Sequence, residues 1–294
     1  MASRARKSKH GARQEKAGLR LGVAGAVILG ALAACCIAVV ALCTVWLQDL
    51  PDYNDASAYN YAEKTKVYAN DGTTLLAEFY LENRDPIDLD EMGTYVTKGT
   101  VATEDERFYQ HNGIDVLGIA RAVWVNVTHT GHEGASTITQ QFVRNTILAD
   151  EATESTLKRK VREAYIAIKL EESYSKDEIL QMYLNTINYG QGAYGIQAAA
   201  QRYYSKNAKD LTIAQAATLI GIPQSPTYNN PIDNPENCKN RRNLVLDRML
   251  TNGVITQEEH DAAQAEDLNL NVSEVSTGDG MYKYKYFTSY VRET

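Results

Sequence analysis

The longest apolar stretch of the chain lies close to its N-terminus. Residues 21–47 contain no charged side chain and are rich in Ala, Val, Leu and Ile. This stretch is longer than the roughly 20 residues that a helix needs to cross a bilayer. The apolar core of a cleaved signal peptide is shorter, about 7–15 residues. The pattern therefore predicts a retained transmembrane helix over 21–47, and the length disfavours the alternative of a buried core helix.

A short β element is predicted after the apolar stretch. Residues 48–64 are rich in Asn, Asp, Ala and Tyr, which is typical of a juxtamembrane linker. In the segment that follows, Asn70-Asp71-Gly72 is a turn signal between two β-prone runs. This combination predicts a short hairpin over 64–81.

Helical spacing dominates from Tyr95 onwards. It is clearest in 156–170, where it predicts a single buried face made of Val161, Ala164, Tyr165 and Ile168. Further helices are predicted over 177–184, 193–204, 213–220, 243–250 and 257–266. The prolines between 223 and 235 are interpreted as helix breaks, and Asn252-Gly253 as a helix cap. The predicted fold class is mainly α, with a small β element near the membrane and one N-terminal transmembrane helix.

The distribution of charge predicts an orientation. Seven Lys and Arg residues precede the apolar stretch, against the single anion Glu15. Positive flanks stay in the cytoplasm, so we expect a cytoplasmic tail over 1–20 and an exported remainder. That remainder has 23 Lys and Arg against 36 Asp and Glu, a net charge of −13. Such an acidic part disfavours nonspecific nucleic-acid binding, and any phosphate must meet a local basic cluster.

The cysteines and histidines predict neither a disulfide nor a metal site built by the protein. Three of the four cysteines lie inside the apolar stretch, which leaves only Cys238 in the exported part. An intramolecular disulfide or a zinc site built on thiolates is therefore excluded there. The segment His129–Glu133 contains two histidines and a glutamate, but Gly131 lies inside it. We interpret this segment as a polar loop rather than as the helical H-E-x-x-H motif.

A dense group of carboxylates opens the segment Thr103–Gly113, whose sequence is TEDERFYQHNG. Chemistry at a glycosidic centre needs a base that removes a proton from a hydroxyl, and carboxylates are the usual groups. The alternative is a helix start, because Thr103 and Glu106 fit a capping box and acids are favoured in a first turn. A cap does not require the aromatic pair, His111 and Gly113, which favours a functional interpretation.

Two later segments carry polar groups suited to a saccharide phosphate. Residues 134–141 (GASTITQQ) offer hydroxyls and amides that bond to sugar hydroxyls and phosphate oxygens. Ser136 or Thr137 is alternatively a helix cap, and both roles are compatible because a helix start is an anion site. In residues 157–165, Arg159, Lys160 and Glu163 share one helix surface. A solvated salt-bridged face is the alternative there.

These three segments, in this order, resemble the motifs of the peptidoglycan glycosyltransferases, whose lysozyme-like domain polymerises lipid II. Two further segments match the family, Glu178–Ile196 and Arg241–Met249, and both are interpreted as mainly structural. Within them Tyr183 and Leu184 are predicted as core residues. The likeness covers residues 65–270. It implies a lysozyme-like glycosyltransferase domain that performs inverting transfer between lipid-linked saccharides.

The resemblance also implies roles for particular residues. It assigns the catalytic base to Glu104 and a second catalytic carboxylate to Glu163. The residues it assigns to substrate binding are Asp105, Phe108, His111, Ser136, Thr137, Gln140, Gln141, Arg144, Arg159, Lys160 and Asn185. Arg144 stands where the family often has Lys, which retains the charge but changes the geometry of phosphate binding. The resemblance allows a divalent cation, Mg²⁺ or Mn²⁺, at the departing pyrophosphate and implies no organic cofactor.

Three other functions were weighed against this one. A lysozyme-like hydrolase or lytic transglycosylase has no need of the Arg159-Lys160-x-x-Glu163 cluster. A transpeptidase fits Ser173–Lys176 as S-x-x-K, but the sequence has neither S-D-N nor K-T-G. We therefore predict that Ser175 caps a helix with Glu178 at the capping-box position. A catalytically silent membrane scaffold would tolerate the loss of Glu104, which this chain retains.

The C-terminal segment predicts a continuation. Residues 284–291 resemble the linker that leads into the transpeptidase domain of class A penicillin-binding proteins, so 271–294 is predicted as such a linker. The expected partners are lipid II, the growing glycan strand, the membrane and proteins of a cell-wall synthesis complex, with no nucleic acid.

Overall fold

The computed structural model describes residues 29–53, 65–79, 83–128, 134–273 and 281–282. The chain divides into two compact units, one made of Met1–Leu50 with Thr156–Arg162 and the other of Pro51–Ser155 with Glu163–Thr294. Several predictions lie outside the described residues: the tail 1–20, the first part of the apolar stretch, most of the linker 48–64, the loop 129–133 and most of 271–294.

The first unit contains the apolar helix α1, Leu29–Trp46. Its length and its mean hydropathy of 2.4 suffice for a membrane crossing, in agreement with the prediction for this part of 21–47. The end of α1 is held by Arg162, whose guanidinium donates hydrogen bonds to the carbonyls of Trp46 (3.4 Å) and Asp49 (2.8 Å). A cation at a helix C-terminus satisfies carbonyls that have no partner within the helix.

The predicted hairpin is confirmed in the second unit. Strands β1 (Thr65–Tyr68) and β2 (Leu75–Phe79) pair in antiparallel fashion. Asp71 holds the turn, because its Oδ1 accepts the N–H groups of Thr73 (2.9 Å) and Thr74 (2.8 Å). A hydrogen bond from the hydroxyl of Thr74 to Oδ2 of Asp71 and, after it, these two backbone bonds lower the pKa of Asp71 to about 2. The other strands are β3 (Asn83–Arg84), which pairs in parallel with β4 (Ala193–Tyr194), and β5 (Met281–Tyr282), which extends the hairpin at β2.

The rest of the described chain is mainly helical, as predicted. The helices are α2 (Thr94–Glu104), α3 (Val116–Val127), α4 (Ile138–Asn145), α5 (Leu157–Ser173), α6 (Lys176–Thr186), α7 (Ile196–Tyr204), α8 (Ile213–Gly221), α9 (Pro235–Thr251) and α10 (Gln257–Ala265). The predicted capping box of Ser175 and Glu178 is confirmed at the start of α6. Helix α9 ends at Thr251, Asn252 is its C-cap, and Gly253 follows at φ 68°, as the predicted cap requires.

Helix α8 lies at the centre of a hydrophobic core shared with α2, α9 and α10. Ile220 packs there with Val245 and Met249, and each is at most 3% exposed. Burying side chains of this size stabilises the fold by about 1.5–3 kcal/mol each. Gly99 brings α2 close, because a Cβ there would lie 2.8 Å from Cδ1 of Ile220. The core thereby fixes α2 against α8 and α9.

The predicted buried face of α5 is wrong. It contains Ile168, which is 36% exposed, whereas Ile166 and Ala167 are fully buried. Arg162 and Glu163 are buried as well, at 4% and 0% exposure. Because charged residues occupy buried positions of this helix, its hydrophobic pattern does not mark the face that packs.

Two predicted helix starts are also wrong. Helix α9 begins at Pro235 rather than at residue 243, because a proline at the first helical position loses no intrahelical hydrogen bond. Helix α7 begins at Ile196 rather than at 193, because Ala193–Tyr194 forms β4. Gly195 lies between them at φ 82°, where an added Cβ would be 2.6 Å from the carbonyl oxygen of Asn185.

Candidate active site

The acidic run of the first motif lies at the end of helix α2, not at a helix start as the capping alternative required. Glu104 is the last residue of α2 and Asp105 is its C-cap. Side chains from the end of α9 bond to the last carbonyls of α2: Arg248 donates to Thr103, and Asn252 donates to Ala102 over 3.4 Å. These bonds satisfy carbonyls that have no partner inside α2, so α9 helps to hold Glu104 in place.

The Glu104 carboxylate lies between an amide and a guanidinium. Its Oε2 accepts a hydrogen bond from Nε2 of Gln141 (2.9 Å) on α4. Its Oε1 lies 3.5 Å from Nη2 of Arg241 on α9. The hydroxyl of Tyr183 donates to Oε1 of Gln141 (3.1 Å) and so orients that amide toward Glu104. The Glu104 side chain is 16% exposed, which leaves the carboxylate accessible to a substrate hydroxyl.

The pKa values of three side chains around Glu104 are shifted, and the charge of Glu104 contributes to each pKa. Burial raises the pKa of Tyr183 well above its usual value, and the charge of Glu104 adds to the shift while that of Arg144 opposes it. The pKa of Tyr189 is raised by the same two causes, burial and Glu104. Burial lowers the pKa of Arg241, and Glu104 acts against that shift. Both phenols therefore stay protonated at neutral pH.

Asp105, the next residue, is enclosed by the protein. Its side chain is 2% exposed. Its Oδ2 accepts the backbone N–H of Ile138 (3.0 Å), the first residue of α4, and Nε2 of His111 lies 3.0 Å from both carboxylate oxygens. A carboxylate at a helix N-terminus is favoured by the helix dipole. Asp105 and His111 therefore join the first motif to the second, and the substrate binding that the resemblance implies for them stays a prediction.

A chain of polar contacts continues from His111 into α5 and α6. Nζ of Lys176 lies 3.5 Å from Nδ1 of His111, 2.7 Å from Oε2 of Glu171 and 4.4 Å from the ring centre of Phe108. Glu171 also accepts a bond from the hydroxyl of Thr139 (2.5 Å). Phe108 is completely buried and supports this loop, and its predicted contact with substrate stays a prediction.

The second motif forms the start of α4. Thr137 is the N-cap and Gln140 completes a capping box, which confirms the helix-cap alternative for Thr137. The hydroxyl of Thr137 also donates to the carbonyl of Gly113 (2.8 Å). Gly113 has φ 82°, and a Cβ there would lie 2.7 Å from the backbone of Ala167. Thr137 and Gln140 are buried, whereas Ser136 and Gln141 are half-buried.

The remaining predicted site residues are distributed over several elements. Arg159 and Lys160 lie near the start of α5 and belong to the first unit, whereas Glu163, fully buried, belongs to the second. Arg144 lies in the last turn of α4. Asn185 uses its amide on backbone groups of Ile87, at 2.9 and 3.2 Å. This confirms its predicted role as a hydrogen bonder at a helix end, and substrate binding by Asn185 stays a prediction.

Residues 72–250 match the family model described as Transglycosylase. The chain belongs to this family. It is 44% identical to penicillin-binding protein 1A of Vibrio cholerae over 74% of the chain, and 40% identical to that of Escherichia coli over 82%. A crystal structure of penicillin-binding protein 1A from Haemophilus influenzae shares 24% identity over 79% of the chain, with a TM-score of 0.44. The chain spans only 26% and 28% of the first two relatives' length and 24% of the crystallised chain.

Sequence reasoning missed how the polar atoms of two residues are placed around Glu104. Arg241 was placed in the fifth motif and interpreted as structural, although its side chain faces the carboxylate. Tyr183 is a core residue as predicted, at 2% exposure, but its hydroxyl also orients Gln141. The sequence signal for both was the motif itself, and only the packing shows where their polar atoms point.

In the described part of the chain, no group of three or more His, Cys, Asp and Glu side chains could hold a metal ion by itself. Mg²⁺ is usually held by one or two carboxylates together with waters and substrate phosphates. The divalent cation expected at the departing pyrophosphate therefore stays a prediction.

Proposed function

We propose that this chain is a membrane-anchored peptidoglycan glycosyltransferase that polymerises lipid II into glycan strands and releases polyprenyl pyrophosphate. The observation that carries the proposal is the setting of Glu104, a partly exposed carboxylate with one oxygen on Gln141 and the other facing Arg241. Membership of the transglycosylase family supports it. The relatives from Vibrio cholerae and Escherichia coli are named penicillin-binding protein 1A.

The proposed reaction is an inverting displacement. Glu104 takes the proton of the 4-hydroxyl of an acceptor lipid II, and that oxygen attacks C1 of the growing strand. The bond from C1 to the pyrophosphate oxygen breaks on the opposite face, and its electron pair leaves with the pyrophosphate. We assign stabilisation of the developing charge to Arg159, Lys160 and Arg144, on the family resemblance. Glu163 would either orient these cations or position a divalent metal ion.

The proposed topology follows from α1 and the charge pattern. Helix α1 anchors the chain, the basic tail stays in the cytoplasm and the glycosyltransferase domain (65–270) lies outside. A membrane anchor suits a substrate whose polyprenyl tail stays in the bilayer. Residues 271–294 would lead toward a transpeptidase domain of a class A penicillin-binding protein. Proteins of a cell-wall synthesis complex remain proposed partners.

The test compares polymerisation with cleavage. The chain purified in detergent is incubated with lipid II and, separately, with preformed glycan strands, and the products are separated by size. We expect glycan strands from lipid II and no shortening of preformed glycan. Cleavage of glycan without polymerisation would contradict the proposal and favour a lysozyme-like hydrolase or lytic transglycosylase. The same assay before and after chelation, with Mg²⁺ or Mn²⁺ added back, tests the predicted divalent cation.

A further inference from the structure

The side chain of Arg241 takes an unusual path through the protein. It leaves helix α9 and is 13% exposed, and its Nε atom has no hydrogen-bond partner in the described part of the chain. Nη2 faces Oε1 of Glu104 at 3.5 Å. Burying a guanidinium is costly unless it is paired with an opposite charge. The contact with Glu104 therefore compensates the burial of Arg241.

Gly221, the last residue of α8, makes this path possible. A Cβ at Gly221 would lie 2.9 Å from Cγ of Arg241, close to the fixed end of that side chain. The backbone of Gly221 has φ −74° and ψ −24°, a helical conformation that any residue adopts. Glycine in a helix costs roughly 0.5–1 kcal/mol relative to alanine. The backbone conformation therefore does not require a glycine at this position, whereas the space that the Arg241 side chain occupies does.

Arg241 is a charged group placed to act directly on Glu104. Helix α9 also supplies Arg248, whose charge lies close enough to lower the pKa of Arg241. Toward Glu104, α4 presents Gln141 and α6 presents Tyr183. The segment after α6 presents Tyr189, and Arg144 of α4 lies near Tyr183. Helix α8 contains no titratable side chain.

We propose that Arg241 is a positioning residue for the catalytic base and that Gly221 exists to let it reach Glu104. Arg241 holds Oε1 in a fixed direction, while Gln141 holds Oε2. The Gln141 bond is the shorter of the two contacts, 2.9 against 3.5 Å. Oε1 is therefore the oxygen that receives the proton of the acceptor hydroxyl. This inference rests on the proposed function.

The first part of the test removes the charge. In Arg241→Gln we expect kcat for lipid II polymerisation to fall about tenfold to a hundredfold, because a misplaced catalytic group costs about that much. KM should change less than twofold, because Arg241 acts through Glu104. Arg241→Lys should restore part of the rate, because it returns a cation to this position.

The second part tests the role of Gly221 with a double-mutant cycle. Gly221→Ala should lower kcat several-fold in the wild-type background, because the new methyl group displaces the Arg241 side chain. In an Arg241→Ala background the same change should cost less than twofold, because the crowded Cγ is gone. Such non-additivity is expected only for residues that act through one contact. Thermal unfolding of every variant reports whether it is folded.

The matched control is Lys239→Gln. It removes a charge from the same helix, and its partner Asp267 is 87% exposed. We expect a wild-type kcat and KM. Unchanged kcat in Arg241→Gln, equal losses from Gly221→Ala in both backgrounds, or a loss in Lys239→Gln as large as in Arg241→Gln would each overturn the inference. Failure of the wild-type chain to polymerise lipid II would instead overturn the proposed function.

Discussion

Glu104 and Asp105 are adjacent carboxylates in one motif, yet the protein treats them in opposite ways. The Glu104 side chain is 16% exposed and has contacts to side chains of α4 and α9. The Asp105 side chain is 2% exposed and is bonded to a backbone N–H and to His111. Helix α2 ends between them, so their side chains leave the chain in different directions.

The difference shows how one short motif supplies both a carboxylate for proton transfer and a carboxylate that stabilises the structure. The contacts of Glu104 orient the carboxylate without closing it off, as proton transfer requires. Asp105 accepts a hydrogen bond from the start of α4, and Gln141 of the same helix is the partner of Glu104. Asp105 thus positions helix α4, and α4 in turn positions Glu104.

The largest effect that would sharpen this comparison is expected from Asp105→Asn. The change removes a buried charge with bonds to Ile138 and His111, and we expect a loss of about 1.5–3 kcal/mol in the free energy of unfolding. Activity should fall with it, because α4 loses its anchor. Urea unfolding measures the first and lipid II polymerisation the second. Asp177→Asn, at an exposed carboxylate that accepts a hydrogen bond from Tyr109, should cost less than about 0.5 kcal/mol. Equal losses in the two variants would contradict the assignment.

A smaller effect is expected from Tyr183→Phe. The change removes the hydroxyl that orients Gln141, a contribution of about 0.5–1.5 kcal/mol. If that energy is used to hold the amide on Glu104, kcat falls roughly threefold to tenfold. Steady-state polymerisation kinetics check this. Tyr204→Phe removes an equally buried hydroxyl on α7 and should leave kcat unchanged. A full rate in Tyr183→Phe would break the proposed chain from Tyr183 through Gln141 to Glu104.

The smallest effect is expected at His260, a largely buried side chain between two exposed carboxylates, those of Asp261 and Asp247. Hydrogen bonds to these two carboxylates raise the pKa of His260. The protonated form is therefore favoured by folding, and its stabilisation is fully present below the unfolded pKa of about 6.5. It is lost as pH rises through the folded pKa. The stability difference between wild type and His260→Gln should shrink over that window, with no change in polymerisation rate. A pH-independent difference in melting temperature would contradict this.

Some features of the fold could be predicted from the sequence and others could not, depending on the kind of feature. The hairpin turn, the apolar helix and the capping box at Ser175 follow from local signals, and the structure confirms them. The buried face of α5 did not follow, because buried positions there hold Arg162 and Glu163. Periodicity detects apolar burial only.

Local sequence patterns are limited in the same way at the candidate site. The first motif identifies Glu104, Asp105 and His111 as site residues. It does not predict which of them has a catalytic role and which a structural one. That division depends on where α2 ends, which sets the direction of each side chain. Arg241 is distant from Glu104 in the chain, and its path over Gly221 is a property of packing between α8 and α9. No local pattern reports such a contact.

The most direct test of the account is lipid II polymerisation by Glu104→Gln, with thermal unfolding recorded on the same sample. Glu106→Gln is the matched control, because Glu106 is a partly exposed carboxylate of the same motif that pairs with Arg121. We predict that Glu104→Gln lowers the rate by a factor of about 10²–10⁴, as expected for loss of a general base. Its melting temperature should stay close to wild type, and Glu106→Gln should keep most of its activity. A Glu104→Gln protein that is folded and still polymerises lipid II at the wild-type rate would contradict the central claim.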